Sequence, residues 1–575
     1  MIFVILLSIF LIGVNFSNGW SPTNSFAPGK VSCPSEKRSF LRSSSYLNTE
    51  EMRWVEERNK ITNANLKKFL KYSTSLEKAG GNFSVDDFFA NYVEGQRAIK
   101  IGLAFSGGGY RAMLNGAGQL SAFDNRTTKA FEKGLGGLLE STTYISGLSG
   151  GSWLVGTLIL NNWTSVEEIL LKREYSDIWD LKESILFPEG INIFETIRNH
   201  KTVLEEVEDK RDAGYEISIT DLWSRALAKD YLGRYEDYGD ALTFSDVREF
   251  DVFKQQAIPF PIIVAVGRAP GTTIIDVNST VVEMNPFEIG SWDNAIRSFF
   301  DIKYLGTKVS NGVAEDSKKC ISGFDNASFL VGTSSSLFNG IVMKLKDMNL
   351  GDIPIIGVIE DILDKISEDE NDIGVYKPNP FYQNEFGSSS SISNSDTLYL
   401  VDGGMDDQNI PLAPLIQQQR DVDLVVAFDN SADTDNNWPD GSSLVHTHQR
   451  QFGVQNNSSF PQVPLSPEEF VQQGLNVRPA FFGCDTEEGP LVVYIPNRQL
   501  SYASNPSTYK LKYSSKERAS MVSNGFDVAS RAQHQLDNEW ATCLGCAAMR
   551  RTELRNSLEQ PGVCQQCFER YCWRR

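Results

Sequence analysis

The stretch Gly147-Leu148-Ser149-Gly150-Gly151-Ser152-Trp153 constrains this chain more than any other. Glycines two residues to either side of Ser149 suit a sharp strand-to-helix turn. Their missing Cβ atoms allow a strained backbone and leave the serine oxygen exposed. Ser141 to Ser146, just before, is rich in β-branched and aromatic residues and reads as the incoming strand. Trp153 to Leu158, just after, is apolar enough for a buried helix. A chain with 45 glycines in 575 residues also produces such five-residue patterns by accident, so the motif needs partners.

Two are visible. Ile99 to Met113 reads as a strand, the triple-glycine turn Gly107-Gly108-Gly109 and a helix start that carries Arg111. Adjacent glycine amides can converge on one point and stabilise the oxyanion formed when a serine attacks an ester. Thr397 to Gly404 is a β-rich run ending in Asp402 and two glycines. A carboxylate at a strand end is placed to meet a serine from a neighbouring strand, although Asp-Gly-Gly equally suits a plain turn.

The three segments Ser106-Gly107-Gly108-Gly109-Tyr110-Arg111-Ala112-Met113, Gly147 to Trp153 and Val401-Asp402-Gly403-Gly404, in that order, resemble the fungal phospholipase B (lysophospholipase) family. That family is related to the catalytic domain of calcium-regulated cytosolic phospholipases. Phe26 to Pro34, Trp54 to Arg58, Ser431 to Pro439 and Cys567 to Trp573 extend the likeness from about residue 26 to the end. The resemblance implies a Ser149 nucleophile with Asp402 as its partner, oxyanion amides from Gly107, Gly108 and Gly109, and Arg111 near the substrate phosphate. It also implies a catalytic domain over 20–540 with a cysteine-rich extension over 541–575. Serine needs a base to become a good nucleophile, and an acyl-enzyme divides one difficult hydrolysis into two easier steps. The planar arginine fork suits phosphate, though an arginine in a first helical turn is commonly just solvated.

A Ser–Asp–His order is also available through His446 or His448, two of four histidines. Both lie in a polar run, and spacing alone does not decide between the two bases. A histidine base is lost near pH 6.5, whereas an ordinary carboxylate stays ionised to about pH 4. A dyad therefore predicts activity that persists into acid.

Residues 1–19 lack Lys, Arg, Asp and Glu, and Ile2 to Val14 is nearly all apolar. With Ser17 and Gly19 before Trp20, this reads as a signal peptide, too short to span a membrane and unusual in lacking a basic start. Acceptors for N-glycosylation stand at Asn82, Asn125, Asn162, Asn278, Asn326, Asn456 and Asn457, the last two overlapping. Asn125 and Asn162 flank the catalytic motifs and must face away from any cleft. A secreted chain with eight cysteines (Cys33, Cys320, Cys484, Cys543, Cys546, Cys564, Cys567 and Cys572) is read most simply as holding four disulfides. The two Cys-x-x-Cys pairs would otherwise suit zinc. Connectivity stays open among roughly a hundred pairings. No metal and no cofactor is expected. Gly107-x-Gly109-x-x-Ala112, with Asp124 as acid, fits a loose dinucleotide fingerprint. A secreted enzyme meets little such cofactor, and the next strand leads to the Ser149 turn instead.

Strand-like runs at Ile262–Val266, Leu424–Phe428 and Leu491–Ile495 alternate with helical patterns such as Asn48 to Tyr72. The expected fold is α/β: a three-layer mixed sheet flanked by helices, with large insertions and a disulfide-rich C-terminal tail. Residues 165–255 are charged and helix-like, either a cap over the site or a surface insertion. Ser388 to Ser395 reads as a mobile loop. The net charge of −20 excludes nucleic acid as a partner and generic attraction to anionic membranes, and fits phospholipid substrates in micelles or zwitterionic surfaces. The C-terminal Cys572-Trp573-Arg574-Arg575 lacks a glycolipid-anchor tail, so release to the medium or retention in the wall is expected. The sequence thus predicts a secreted serine hydrolase of lysophospholipids, with diacyl phospholipids as further candidate substrates. The alternatives are a His-assisted esterase and an inert lipid-binding wall protein.

Overall fold

The computed structural model describes residues 20–35, 39–77, 83–132, 135–183, 193–269, 272–347, 354–365, 370–455 and 458–575. Residues 1–19, read as a leader, and Asn82, Asn456 and Asn457 of the glycosylation motifs lie outside them. Twelve strands form one mixed sheet: β1 (Leu41–Ser43), β2 (Ile101–Phe105), β3 (Tyr144–Leu148), β4 (Phe260–Arg268), β5 (Thr280–Met284), β6 (Glu288–Ser291), β7 (Ser298–Asp301), β8 (Gly374–Tyr376), β9 (Leu398–Asp402), β10 (Leu424–Asp429), β11 (Ala480–Phe482) and β12 (Leu491–Pro496). The order is β11-β12-β10-β2-β3-β4-β5-β6-β7-β1. From β12 to β4 the strands are parallel; beyond β4 they alternate. The three apolar runs read as strands are β4, β10 and β12. Every residue of β2, β3, β10 and β12 is buried, as unbroken apolar strands covered on both faces require.

The junction that matters lies on β4. Its nine residues are longer than either neighbour on one edge. β3 pairs in parallel with Phe260 to Val264, Leu148 lying opposite Val264. β9 then takes over the same edge antiparallel, with Asp402 opposite Ala265. Two strands running toward each other thus end on consecutive residues of a third. The residue after Leu148 is Ser149, and the last residue of β9 is Asp402. This register brings together two side chains 253 positions apart.

Seven helices bear on the argument: α1 (Thr49–Tyr72), α2 (Gly109–Ser121), α3 (Gly150–Leu160), α4 (Ile219–Tyr231), α5 (Ser515–Ala529), α6 (Trp540–Arg555) and α7 (Gly562–Tyr571). The Asn48 side chain caps α1 by accepting from Glu50 N at 2.7 Å, and Leu66, Phe69 and Leu70 turn inward. Four disulfides join Cys33 to Cys320, Cys484 to Cys572, Cys543 to Cys567 and Cys546 to Cys564. The last two staple α6 to α7, so the cysteines with zinc-like spacing are spent on one another.

Two expectations change. Ser388 to Ser395 is not a loose loop. It contains a short helix, Ser390–Ser393, capped by Ser389, and Asn379 Nδ2 donates to the carbonyls of Ile392 at 2.8 Å and Ser395 at 2.9 Å. Serine side chains mimic turn and cap partners, so a serine run gains order once a neighbour satisfies its carbonyls. Within 165–255, α4 is almost wholly buried rather than a surface insertion.

Candidate active site

Ser149 follows the carboxyl end of β3, where ligands of open α/β sheets gather. Its φ of 49° and ψ of −123° lie outside the usual regions for a residue with a side chain, yet the side chain is buried, 4 % exposed, rather than standing free as the glycine spacing suggested, because the hydroxyl is turned onto Asp402. Its N–H is held by Ser334, through both Oγ and the carbonyl at 3.0 Å. The next residue, Gly150, opens α3. A Cβ there would meet Gly109 O at 2.1 Å, so the two glycine turns are in backbone contact and a side chain would drive them apart.

The Ser149 hydroxyl donates to Asp402 Oδ2 at 2.9 Å. Asp402 Oδ1 accepts from Gly404 N at 2.9 Å, and the Leu337 amide also donates to this carboxylate. Burial still dominates, pushing the carboxyl up to about 7 from 3.8, with the nearby Asp406 adding to the rise. This corrects the expectation that Asp402 stays ionised to about pH 4: a desolvated carboxylate loses its charge near neutrality. Acid tolerance therefore does not discriminate an aspartate base from a histidine one.

The glycine turn is arranged differently from the sequence expectation. Gly107 N–H is already engaged, donating to Asn409 O at 3.0 Å. Gly108 and Gly109 have φ of 131° and 61°, conformations open to glycine. They occupy the N-cap and first position of α2, where amides have no intrahelical acceptor and the helix dipole is positive. Two amides, not three, are thus available.

Arg111 is fully buried in the first turn of α2. Its Nε donates to Asn430 O at 3.0 Å and Nη1 to Pro506 O at 2.8 Å, while Nη2 has no partner. That Nη2 lies beside Gly108, within 2.3 Å of where a Cβ would stand. Burial lowers the guanidinium to about 10, so it remains charged at neutral pH. A buried cation with a free donor, at the turn that offers free amides, is complementary to an anion.

Behind the glycine turn the core is aromatic and fully buried: Trp153 lies 5.0 Å from Phe338, and Phe338 stacks on Trp223 of α4 at 5.1 Å. Tyr110, beside Gly109, packs on Trp153 at 4.9 Å and donates to Asp230, also of α4. Helix α4, in the charged region before β4, therefore packs behind the glycine turn.

Neither rival base touches the pair. His446 Nδ1 contacts Asp407 O at 3.2 Å and His448 Nδ1 contacts Pro461 O at 3.1 Å, both on the helix Ser442–Arg450. Asp124 of the dinucleotide reading is gripped by Arg126 at 2.8–3.1 Å. Asn125 and Asn162 are exposed at the far ends of α2 and α3, roughly 16–20 Å along helices whose N-termini face Ser149. Asn278 is half-buried. Asn326 is buried in the folded chain. It is 2 % exposed, caps the helix Ala327–Thr333, and its Nδ2 donates to Asp240 O at 2.5 Å. Sequence reasoning passed over Ser334 and Leu337 altogether. Three consecutive serines between Val331 and Leu337–Phe338 read as a polar loop, and only their apolar flanks signal burial.

With that geometry described, likeness to known proteins becomes informative. The lysophospholipase catalytic domain family matches residues 101–575. Lysophospholipase 3 of Saccharomyces cerevisiae is 48 % identical over 587 aligned residues, covering 99 % of this chain and 84 % of the yeast protein. The chain belongs to the lysophospholipase family. It is a hydrolase. A lysophospholipase of Torulaspora delbrueckii is also 48 % identical, covering 98 % and 88 % of the two chains. Lysophospholipase 1 of Candida albicans is 45 % identical, covering 98 % and 92 %. Among solved structures, human GIVD cytosolic phospholipase A2 superposes with a TM-score of 0.65 over 92 % of this chain and 72 % of its own. At 16 % identity that likeness speaks for the fold of this lysophospholipase-family chain.

Proposed function

We propose that this chain is a secreted serine hydrolase that releases fatty acids from lysophospholipids, and from diacyl phospholipids, through a Ser149–Asp402 dyad. The observation that carries the reading is the 2.9 Å hydrogen bond from Ser149 Oγ to Asp402 Oδ2 on a strained turn. The names of the relatives supply the substrate class.

In the first step Asp402 takes the Ser149 proton while Oγ bonds the ester carbonyl carbon. The carbonyl oxygen becomes an oxyanion facing the amides of Gly108 and Gly109 at the positive end of α2. The carbon–oxygen bond to glycerol then breaks, and the Asp402 proton goes to the departing alkoxide. Water repeats the sequence on the acyl-enzyme: its proton passes to Asp402, its oxygen joins the acyl carbon, and Ser149 leaves with the proton. Free Nη2 of Arg111 suits the phosphate. Asp402 acts as base only when ionised, which its burial confines to pH values around and above 7.

Secretion rests on the apolar segment of residues 1–19 and on four disulfides, which persist in oxidising compartments. The proposal is tested by fatty-acid release from lysophosphatidylcholine micelles at pH 7.5, comparing the wild type with Ser149→Ala and Asp402→Asn. A fluorophosphonate probe mapped by peptide mass identifies the nucleophile. Loss of release in both variants, with the probe on Ser149, is expected. Release by Ser149→Ala at the wild-type rate would sink the assignment.

A further inference from the structure

Where β3 gives way to β9 on the edge of β4, the sheet ladder is interrupted and three backbone groups lose their regular partners. They are the N–H of Ser149, the N–H of Gly403 and the carbonyl of Val264. One residue satisfies all three. Ser334 Oγ donates to Val264 O at 2.6 Å and accepts from Ser149 N at 3.0 Å. The Ser334 carbonyl accepts from Ser149 N at 3.0 Å and from Gly403 N at 3.2 Å. Three residues on, the Leu337 amide donates to the Asp402 carboxylate.

This turn, between the helix Ala327–Thr333 and the short 3₁₀ segment Ser336–Phe338, therefore grips both halves of the pair. Ser334 is wholly buried, so water does not compete for its hydrogen bonds. It is also anchored from outside the sheet: the neighbouring Ser335 Oγ accepts from Trp223 Nε1 at 3.1 Å, tying the turn to α4. Ser149 stands at a positive φ that its own side chain disfavours, and such a conformation persists only where surroundings over-determine it.

We infer that Ser334 is a positioning residue for the hydrolysis. Its hydroxyl and carbonyl lock the Ser149 turn and the start of the Asp402 turn into one register, so that Oγ lies in line with the carboxylate. The inference rests on the Ser149–Asp402 reading and assigns Ser334 no contact with substrate.

The test uses the full-length secreted protein as Ser334→Ala, Ser334→Thr and Ser334→Cys, with Ser149→Ala as control. Two quantities are read with a fluorophosphonate probe. The end point counts folded, competent sites, and the rate constant reports how well Ser149 is aimed. Hydrolysis of lysophosphatidylcholine per labelled site is followed alongside. Ser334→Ala is expected to label to the same end point about 10- to 100-fold more slowly, the scale of a misplacement near 1 Å. The turnover number should fall with it, KM staying within about twofold because no binding contact is removed. Ser334→Thr, which keeps the hydroxyl, should recover most of the rate. If Ser334→Ala is not secreted, Ser334→Cys supplies a side chain of similar size and weak hydrogen bonding, and slow labelling is again expected. Wild-type labelling rates in the folded Ala or Cys variant would overturn the inference. So would slow rates that Thr does not relieve. An active Ser149→Ala would overturn the dyad itself, an outcome distinct from either.

Discussion

Replacing Asp402 with asparagine should abolish hydrolysis and, at alkaline pH, make the protein more stable. The Asp402 carboxyl is buried and raised to about 7 from 3.8, first by desolvation. Its folded value thus exceeds its unfolded one, and between about pH 4 and pH 7 the folded state holds a proton that the unfolded state has released. Linkage then requires folding stability to fall as pH rises through that window. About three units at 1.36 kcal/mol each give a cost of at most about 4 kcal/mol above pH 7. Asparagine has no charge to desolvate. The difference in unfolding free energy between Asp402→Asn and wild type should therefore grow in favour of the variant by up to about 3 kcal/mol from pH 4.5 to pH 8. Lost or altered hydrogen bonds to Gly404 and Ser149 shift the whole curve without changing its slope.

Urea unfolding followed by tryptophan fluorescence at pH 4.5, 6, 7 and 8, disulfides intact, measures that slope. Parallel curves for the two proteins would refute the reasoning. The same ionisation is read kinetically: kcat/KM of the wild type should fall about tenfold per unit below pH 7. A rate undiminished at pH 4.5 would mean that the amides of Gly404 and Leu337, with the Ser149 hydroxyl, offset the burial and keep the carboxylate charged.

Three further outcomes are expected. Arg111→Lys loses the planar fork that spans Asn430 O and Pro506 O; at about 2–3 kcal/mol for a lost charge-assisted contact, kcat/KM for lysophosphatidylcholine should fall roughly 30- to 150-fold. A neutral p-nitrophenyl ester should suffer less, and equal losses on both substrates would dissociate Arg111 from phosphate. Gly150→Ala forces a Cβ to within 2.1 Å of Gly109 O. It should cost at least about a hundredfold in turnover by parting the two turns, and a steady-state assay showing a near-wild-type rate would contradict the close contact. Asn125→Gln and Asn162→Gln should each raise gel mobility by removing a glycan, whereas Asn326→Gln should leave it unchanged. A mobility shift in the Asn326 variant would show that this side chain is reachable when the glycan is added.

The Ser149 turn was legible because its constraint is local: glycine spacing, a β-branched and aromatic run before it and an apolar helix after it all lie within some twenty residues. Strands β4, β10 and β12 were legible for the same reason, as short unbroken apolar runs. Asp402 stood out only through resemblance, since its meeting with Ser149 depends on how two strands share the edge of β4, and register between distant segments leaves no local pattern. Ser334 left still less trace. Its role comes from a gap in a sheet ladder, visible only once the ladder is assembled. Asn326 is ambiguous in the opposite direction: Asn-Ala-Ser satisfies a surface motif, yet the same side chain makes a good helix N-cap, and in the folded chain it is that cap. The pH expectation moves for a similar reason: a reference carboxylate value contains no burial, and burial pushes Asp402 upward.

What unites the residues around Ser149 is that each is costly on its own. Ser149 holds a positive φ, Asp402 is a carboxylate away from water, and Arg111 is a buried cation with a donor left over. Spread through the molecule these would be three separate destabilising defects of the kind that mutation readily removes. Here they lie within reach of one strand junction, on a sheet whose central strands are buried on both faces and can bear the cost. Chemistry explains the concentration. A relaxed serine, a solvated aspartate or an arginine neutralised by a carboxylate would each remove a step: alignment of Oγ with its base, a base poised near neutrality, or attraction for an anion. The stability that Asp402→Asn is expected to recover at pH 8 is therefore stability that the wild type forgoes in order to keep a charge beside its nucleophile.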